Sequence, residues 1–86
     1  MRKFKDGDYV QIVPHLRLPN RLNIYRLSTR VEHIEVIGLY DREYRIKIFF
    51  LDGSSRTDWA LPYFLEKASP PEEDLFEEEL LALYYK

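Results

Sequence analysis

The sequence predicts a small, mainly β domain, a five-stranded barrel accompanied by a C-terminal α-helix. Three observations lead there. Two strand-like segments between Tyr44 and Leu61 flank Asp52-Gly53, the commonest sequence signal for a tight hairpin turn. Tyr44, Ile46, Ile48 and Phe50 form one side of a period-two pattern while Arg45 and Lys47 begin the other, as in a strand with one face buried. A chain of 86 residues also has apolar surface for one core and not for a second.

Taken in order, Phe4 to Val13 reads as an opening strand, with Lys5-Asp6-Gly7-Asp8 as a polar turn and Val10 and Ile12 on one face against Tyr9 and Gln11 on the other. Pro14 ends its pairing. From Pro14 to Ser28 two prolines, two asparagines and scattered apolar residues show no clean period, which predicts a long loop with room for a short turn of helix. A loop of that length in so small a domain is usually functional or mobile. Thr29 to Tyr40 is the second strand, where the slip in alternation between Val31 and Ile34 suggests a bulge. Tyr40 to Glu43 turns the chain, Tyr44 to Leu51 is the third strand and Ser54 to Leu61 the fourth. Pro62 breaks the ladder, and Tyr63 to Glu66 makes a short helical turn into a final strand or edge segment.

The last part of the chain changes character. Ser69-Pro70-Pro71-Glu72 has the spacing of a capping box with proline at the first helical position, so a helix is expected from about Pro70 to Tyr84. Acidic residues crowd its start, and Phe76, Leu80, Leu83 and Tyr84 recur at helical spacing, giving it an apolar face that must be buried. The expected organisation is a barrel over residues 1–68 and an acidic helix over 69–86, packed on or beside it.

Gly7-Asp8-Tyr9-Val10-Gln11-Ile12, a variable loop, a central hairpin and Leu65-Glu66 at the closing strand together resemble the SH3-like small barrels of the electron-transport accessory group. That group includes photosystem I subunit IV, the variable chain of ferredoxin–thioredoxin reductase, subunit O of the NAD(P)H dehydrogenase and the β-subunit barrel of nitrile hydratase. The resemblance covers about Phe4 to Ala68 and implies a non-catalytic accessory subunit of a larger assembly. The sequence departs from the pattern at Ser28-Thr29, where those proteins usually place a glycine, and in the acidic C-terminal segment.

Composition narrows the chemistry. No cysteine is present, which removes disulfides, thiolate metal sites and thiol nucleophiles together. No apolar run approaches the ~20 residues that span a bilayer, and the first residues have no apolar signal core, so a cytoplasmic protein without a membrane partner is expected. Gly7, Gly38 and Gly53 are isolated, which argues against a phosphate-cradling loop. The only histidines, His15 in the loop and His33 on an outward strand face, are too few for a metal site and read as surface residues, so no cofactor, no metal and no enzyme activity are expected.

Charge is polarised behind a formal net of −2. Residues 1–30 hold seven Lys/Arg against two Asp/Glu, and residues 31–86 hold six against thirteen. The candidate binding residues are therefore Arg17, Arg21, Tyr25, Arg26 and Arg30, interleaved with Leu16, Leu18, Leu22, Ile24 and Leu27. Arginine pairs bidentately with carboxylate or phosphate and stacks on planar groups, so the loop is expected to hold a protein partner with an acidic surface; nucleic acid is the alternative. A purely structural use of these arginines, pairing with the chain's own acidic C-terminal helix, stands beside both. The thirteen aromatic residues read first as core, because a small barrel needs large side chains to fill it.

Overall fold

The computed structural model describes residues 2–70. The expected C-terminal helix over 69–86 lies outside them, apart from its first two residues. Within them the chain is mainly β. Five strands, β1 (Tyr9–Ile12), β2 (Val31–Tyr40), β3 (Glu43–Phe50), β4 (Ser55–Ala60) and β5 (Leu65–Lys67), form one antiparallel sheet in the order β4-β3-β2-β1-β5. The helix α1 (Asn20–Leu27) follows β1, and a 3-10 turn over Pro62–Phe64 precedes β5.

β1 starts later than the sequence pattern suggests because the turn before it is used in full. Gly7 has a φ of 90°, which a side chain would strain, and its N–H donates to Val36 O at 2.7 Å. The Asp8 carboxylate accepts the Lys5 amide at 3.0 Å, and Val36 N–H returns to Asp8 O at 2.9 Å. The Gly-Asp pair thus delivers β1 to β2 in one register, which puts Val10 and Ile12 inside and Gln11 outside. Ahead of the turn Phe4 is buried and meets Tyr44 edge to face, ring centres 5.3 Å apart. The buried Tyr44 hydroxyl accepts the amides of Lys3 at 2.8 Å and Phe4 at 3.0 Å.

In β2 the ladder slips at Glu32, between Val31 and His33, where the broken alternation places a bulge, and again between Val36 and Gly38. The β3–β4 turn differs in detail from a two-residue Asp-Gly turn. Gly53 N–H donates to Phe50 O at 3.0 Å and Phe50 N–H to Ser54 O at 2.9 Å, so Leu51 and Asp52 are the central pair and Gly53, at φ 89°, is the left-handed residue that completes a three-residue loop. Asp52 instead serves the turn through its side chain, accepting from the Ser54 amide at 2.9 Å.

The core forms where the inward faces converge. Val10, Ile34, Val36, Tyr44, Ile46, Ile48, Ala60 and Leu65 come from the strands, and Leu22 and Tyr25 come from α1. The stretch read as a loop therefore carries two turns of helix and contributes to the core. Its period was obscure because Ile24 and Leu27, apolar by composition, point outward while only Leu22 and Tyr25 are buried. Among the described residues no helix is long and apolar enough to cross a membrane.

Candidate functional site

The five residues singled out in the cationic stretch divide into two groups. Arg21 lies near the start of α1 and Tyr25 one turn later, so both reach the same neighbour on β4, Asp58. Asp58 faces the core side of the sheet opposite Ile46, a position where a lone carboxylate would be costly. It is satisfied there three times: Arg21 Nη1 donates to Oδ1 at 2.7 Å, Tyr25 Oη to Oδ2 at 3.0 Å and the Trp59 amide to Oδ1 at 2.8 Å. Arg21 Nη1 also donates to the Trp59 carbonyl. Burial raises the pKa of the Tyr25 hydroxyl, the Arg56 guanidinium opposes that rise, and the Asp58 carboxylate adds to it.

These bonds also treat an exposed edge. The ladder bond from Phe50 N–H to Ser54 O sets an alternation that leaves the main-chain groups of Ser55, Thr57 and Trp59 facing away from β3. At Trp59 both outward groups are occupied, the N–H by Asp58 and the carbonyl by Arg21.

Arg26 works on the other side of α1. Its Nη1 faces the carbonyls of Leu16 at 2.8 Å, Pro14 at 3.2 Å and Val13 at 3.4 Å, and its Nη2 donates to Asn23 Oδ1. A segment interrupted by proline has few amides with which to organise itself, and one guanidinium gathers its free carbonyls instead. Arg21, Tyr25 and Arg26 are thus structural staples in this fold.

Arg17 and Arg30 are different. Both are exposed, and Arg17 has no side-chain hydrogen bond or ion pair among the described residues. The Arg30 carbonyl accepts the Leu51 amide at 2.9 Å, which ties the stretch after α1 to the β3–β4 turn. Its positive charge helps hold the Asp52 carboxyl below the usual carboxylate range, an effect due first to the hydrogen bond from the Ser54 hydroxyl. Ser28, Arg30, Phe50, Leu51, Asp52 and Ser54 line a hollow of about 560 Å³. Three large aliphatic side chains of α1 and the β3–β4 turn face solvent: Ile24 is 52% exposed, Leu51 64% and Leu27 71%.

The outward face of the sheet carries a second set. Arg45 lies 4.9 Å from the Trp59 ring centre, Tyr40 meets Trp59 edge to face, and Lys47 lies 5.2 Å from the Phe49 ring. His33 stacks on Phe49 with ring centres 4.4 Å apart, and Tyr9 meets His33 edge to face. Glu32 Oε1 is 3.3 Å from His33 Nδ1 but off the line of a hydrogen bond, so it is a partner by charge when the imidazole is protonated. His15 is exposed in the loop, so the two histidines belong to separate surroundings. Sequence reasoning missed Asp58. The signal for Asp58 was present, since an acidic residue at an inward position of a strand requires a partner.

No protein-family model matches the chain, and no curated protein or solved structure is significantly similar to it.

Proposed function

We propose that this chain is a non-catalytic interaction module, an SH3-like small barrel completed by a C-terminal helix, that binds a protein partner in a larger assembly. The strand order, with β1 between β2 and β5, supports the architecture: the Gly7-Asp8 turn aims β1, and Gln11 Nε2 donates to Glu66 Oε1 at 2.6 Å across the β1–β5 pair. The reading includes a cytoplasmic location, which suits a core built without disulfides.

The observation that carries the partner is the hollow where Arg30 and the exposed Leu51 lie with Ser28, the residue after the exposed Leu27, in a stretch of chain that also exposes Arg17 and Ile24. Exposed aliphatic side chains rimmed by arginine suit a protein surface with an apolar centre and acidic edge, since they offer a polyanion alone little. The test is an Arg17→Glu/Arg30→Glu variant together with Leu27→Ser/Leu51→Ser, each used as bait beside the parent chain. Loss of the same captured protein from both variants, with folding unchanged, supports the reading; identical capture by all three sinks it.

A second reading is favoured by one observation of its own. The outward sheet face sets Arg45 and Lys47 against Trp59 and Phe49, the cation and ring pairing that single-stranded nucleic acid uses. Such binding would weaken steeply with salt, and Arg45→Ala would reduce the slope by about 1. No association with an oligonucleotide at low salt removes this reading.

A further inference from the structure

Beyond the pairs Tyr9↔Glu35 and Val10↔Ile34, strands β1 and β2 part company. Gln11 and Ile12 pair only with β5, and Val31 and His33 only with β3. The gap is a groove of about 1030 Å³. Ile12, Val31 and Ile34 supply its apolar walls, and Tyr9, His33 and Leu51 stand at its margin. Ala68, Ser69 and Pro70 also line it, so the chain leaves the described residues at the groove itself.

We propose that this groove seats the chain's own C-terminal segment, residues 71–86, through Phe76, Leu80, Leu83 and Tyr84. The inference rests on the C-terminal helix of the proposed architecture, and the docked segment would share Leu51 and Arg30 with the partner corner.

Three arguments converge on that occupant. The groove's lining includes the half-buried Val31 and the exposed Leu51, and the sequence carries an apolar stripe at helical spacing that could cover them within one molecule. Because the segment is tethered at the groove's lining, docking is intramolecular, with an effective concentration in the millimolar range, and closes only a short loop. Reach also suffices. A helix over 70–84 would be about 22 Å long, against the ~15 Å that three strand spacings put between β5 and β3, where Leu51 follows.

Charge would favour one orientation of the docked segment. Glu72, Glu73 and Asp74, with Glu77, Glu78 and Glu79, bring negative charge to a rim that holds Arg30 beyond Leu51 and the exposed Lys67, whose Nζ is 3.8 Å from Asp8. Among the described residues Glu32 is the one carboxylate lining the groove, and Arg26 there is already occupied by carbonyls. The acidic residues are therefore expected to face outward over Lys67 and Arg30, away from Glu32.

The absence of cysteine makes the test direct. A nitroxide placed on the full chain at Ala82→Cys, a position off the apolar stripe, broadens the amide signals of nearby residues. The expected result is loss of the Gln11, Val31 and His33 signals with those of Arg45 and Thr57 retained, and recovery of the lost signals in the labelled Phe76→Asp/Leu80→Asp variant. Unchanged Tyr44 and Ile46 signals would show that this variant keeps its fold. Retained Val31 and His33 signals, or equal broadening over the whole sheet, overturn the proposal. Cα shifts over 72–84 separate the two ways of failing. Helical shifts without groove broadening leave the architecture standing and remove the docking, and coil shifts remove both.

Discussion

The hairpins β2–β3–β4 and the excursion from Pro14 to Arg30 are parts of one core held together by different forces. In the hairpins, order comes from repetition: Ile34 opposite Ile48, Val36 opposite Ile46 and Tyr44 opposite Ala60, with main-chain bonds to match. The excursion has little of this. Two apolar side chains, Leu22 and Tyr25, anchor it, and three polar ones, Arg21, Arg26 and Asp58, hold what the anchors leave loose. The contrast shows that in a stretch poor in main-chain pairing, arginine can do the work of a ladder. A cationic loop is therefore not by itself a contact surface.

That contrast can be broken most severely at the anchors. Leu22→Ala and Ile46→Ala each remove a fully buried aliphatic side chain and are expected to cost ~2–5 kcal/mol in urea unfolding. The two regions are one cooperative unit if both variants lose stability with an unchanged denaturant slope. A reduced slope for Leu22→Ala alone would show that the excursion detaches by itself.

Smaller effects test the staples. Asp58→Ala leaves the Tyr25 hydroxyl, the Arg21 guanidinium and the Trp59 amide without their shared acceptor, a loss of about 1–3 kcal/mol, whereas Arg21→Ala, removing a half-exposed ion pair, should cost no more than about 1 kcal/mol. Equal costs for Asp58→Ala and Arg17→Ala would refute the division of the cationic residues. On the hairpin side, Tyr44→Phe strips the buried acceptor from the Lys3 and Phe4 amides and is expected to cost ~1–3 kcal/mol, measured by thermal unfolding.

Alkali provides a gentler probe. The folded-state pKa of Tyr25 is raised, so its contribution is complete below the unfolded value of about 10 and is lost as pH rises through the folded one. Stability of the parent chain should fall across that range, and Tyr25→Phe should flatten the fall. The smallest change is reserved for Arg17→Glu/Arg30→Glu, expected to stay within ~0.5 kcal/mol of the parent while altering any binding at that corner.

Much of the sheet was readable because its information is local. The alternation through Tyr44, Ile46 and Ile48, the bulge near Glu32 and the Gly7-Asp8 turn all reflect residues acting within a few positions of themselves. The β3–β4 turn was read one position late, since Asp52-Gly53 marks a hairpin without stating which residue takes positive φ. What stayed hidden is non-local. Arg21 meets Asp58 across 37 positions of chain, and nothing in either neighbourhood announces the other. Exposed Ile24 and Leu27 blurred the helical period for the same reason: an outward apolar residue looks, in a string of letters, like an inward one.

The occupied main chain at Trp59 has a consequence for the molecule in a crowd. A sheet whose outermost strand is free can recruit another chain's strand, and repeated recruitment is how fibrils grow. Among the described residues an incoming strand would find two of β4's three outward-facing positions, Ser55 and Thr57, without a main-chain partner and would then meet a carboxylate and a guanidinium already holding the third. The contact that seats the helix thus also shortens the template for polymerisation, so a substitution that loosened α1 would at the same time make the chain more prone to aggregate.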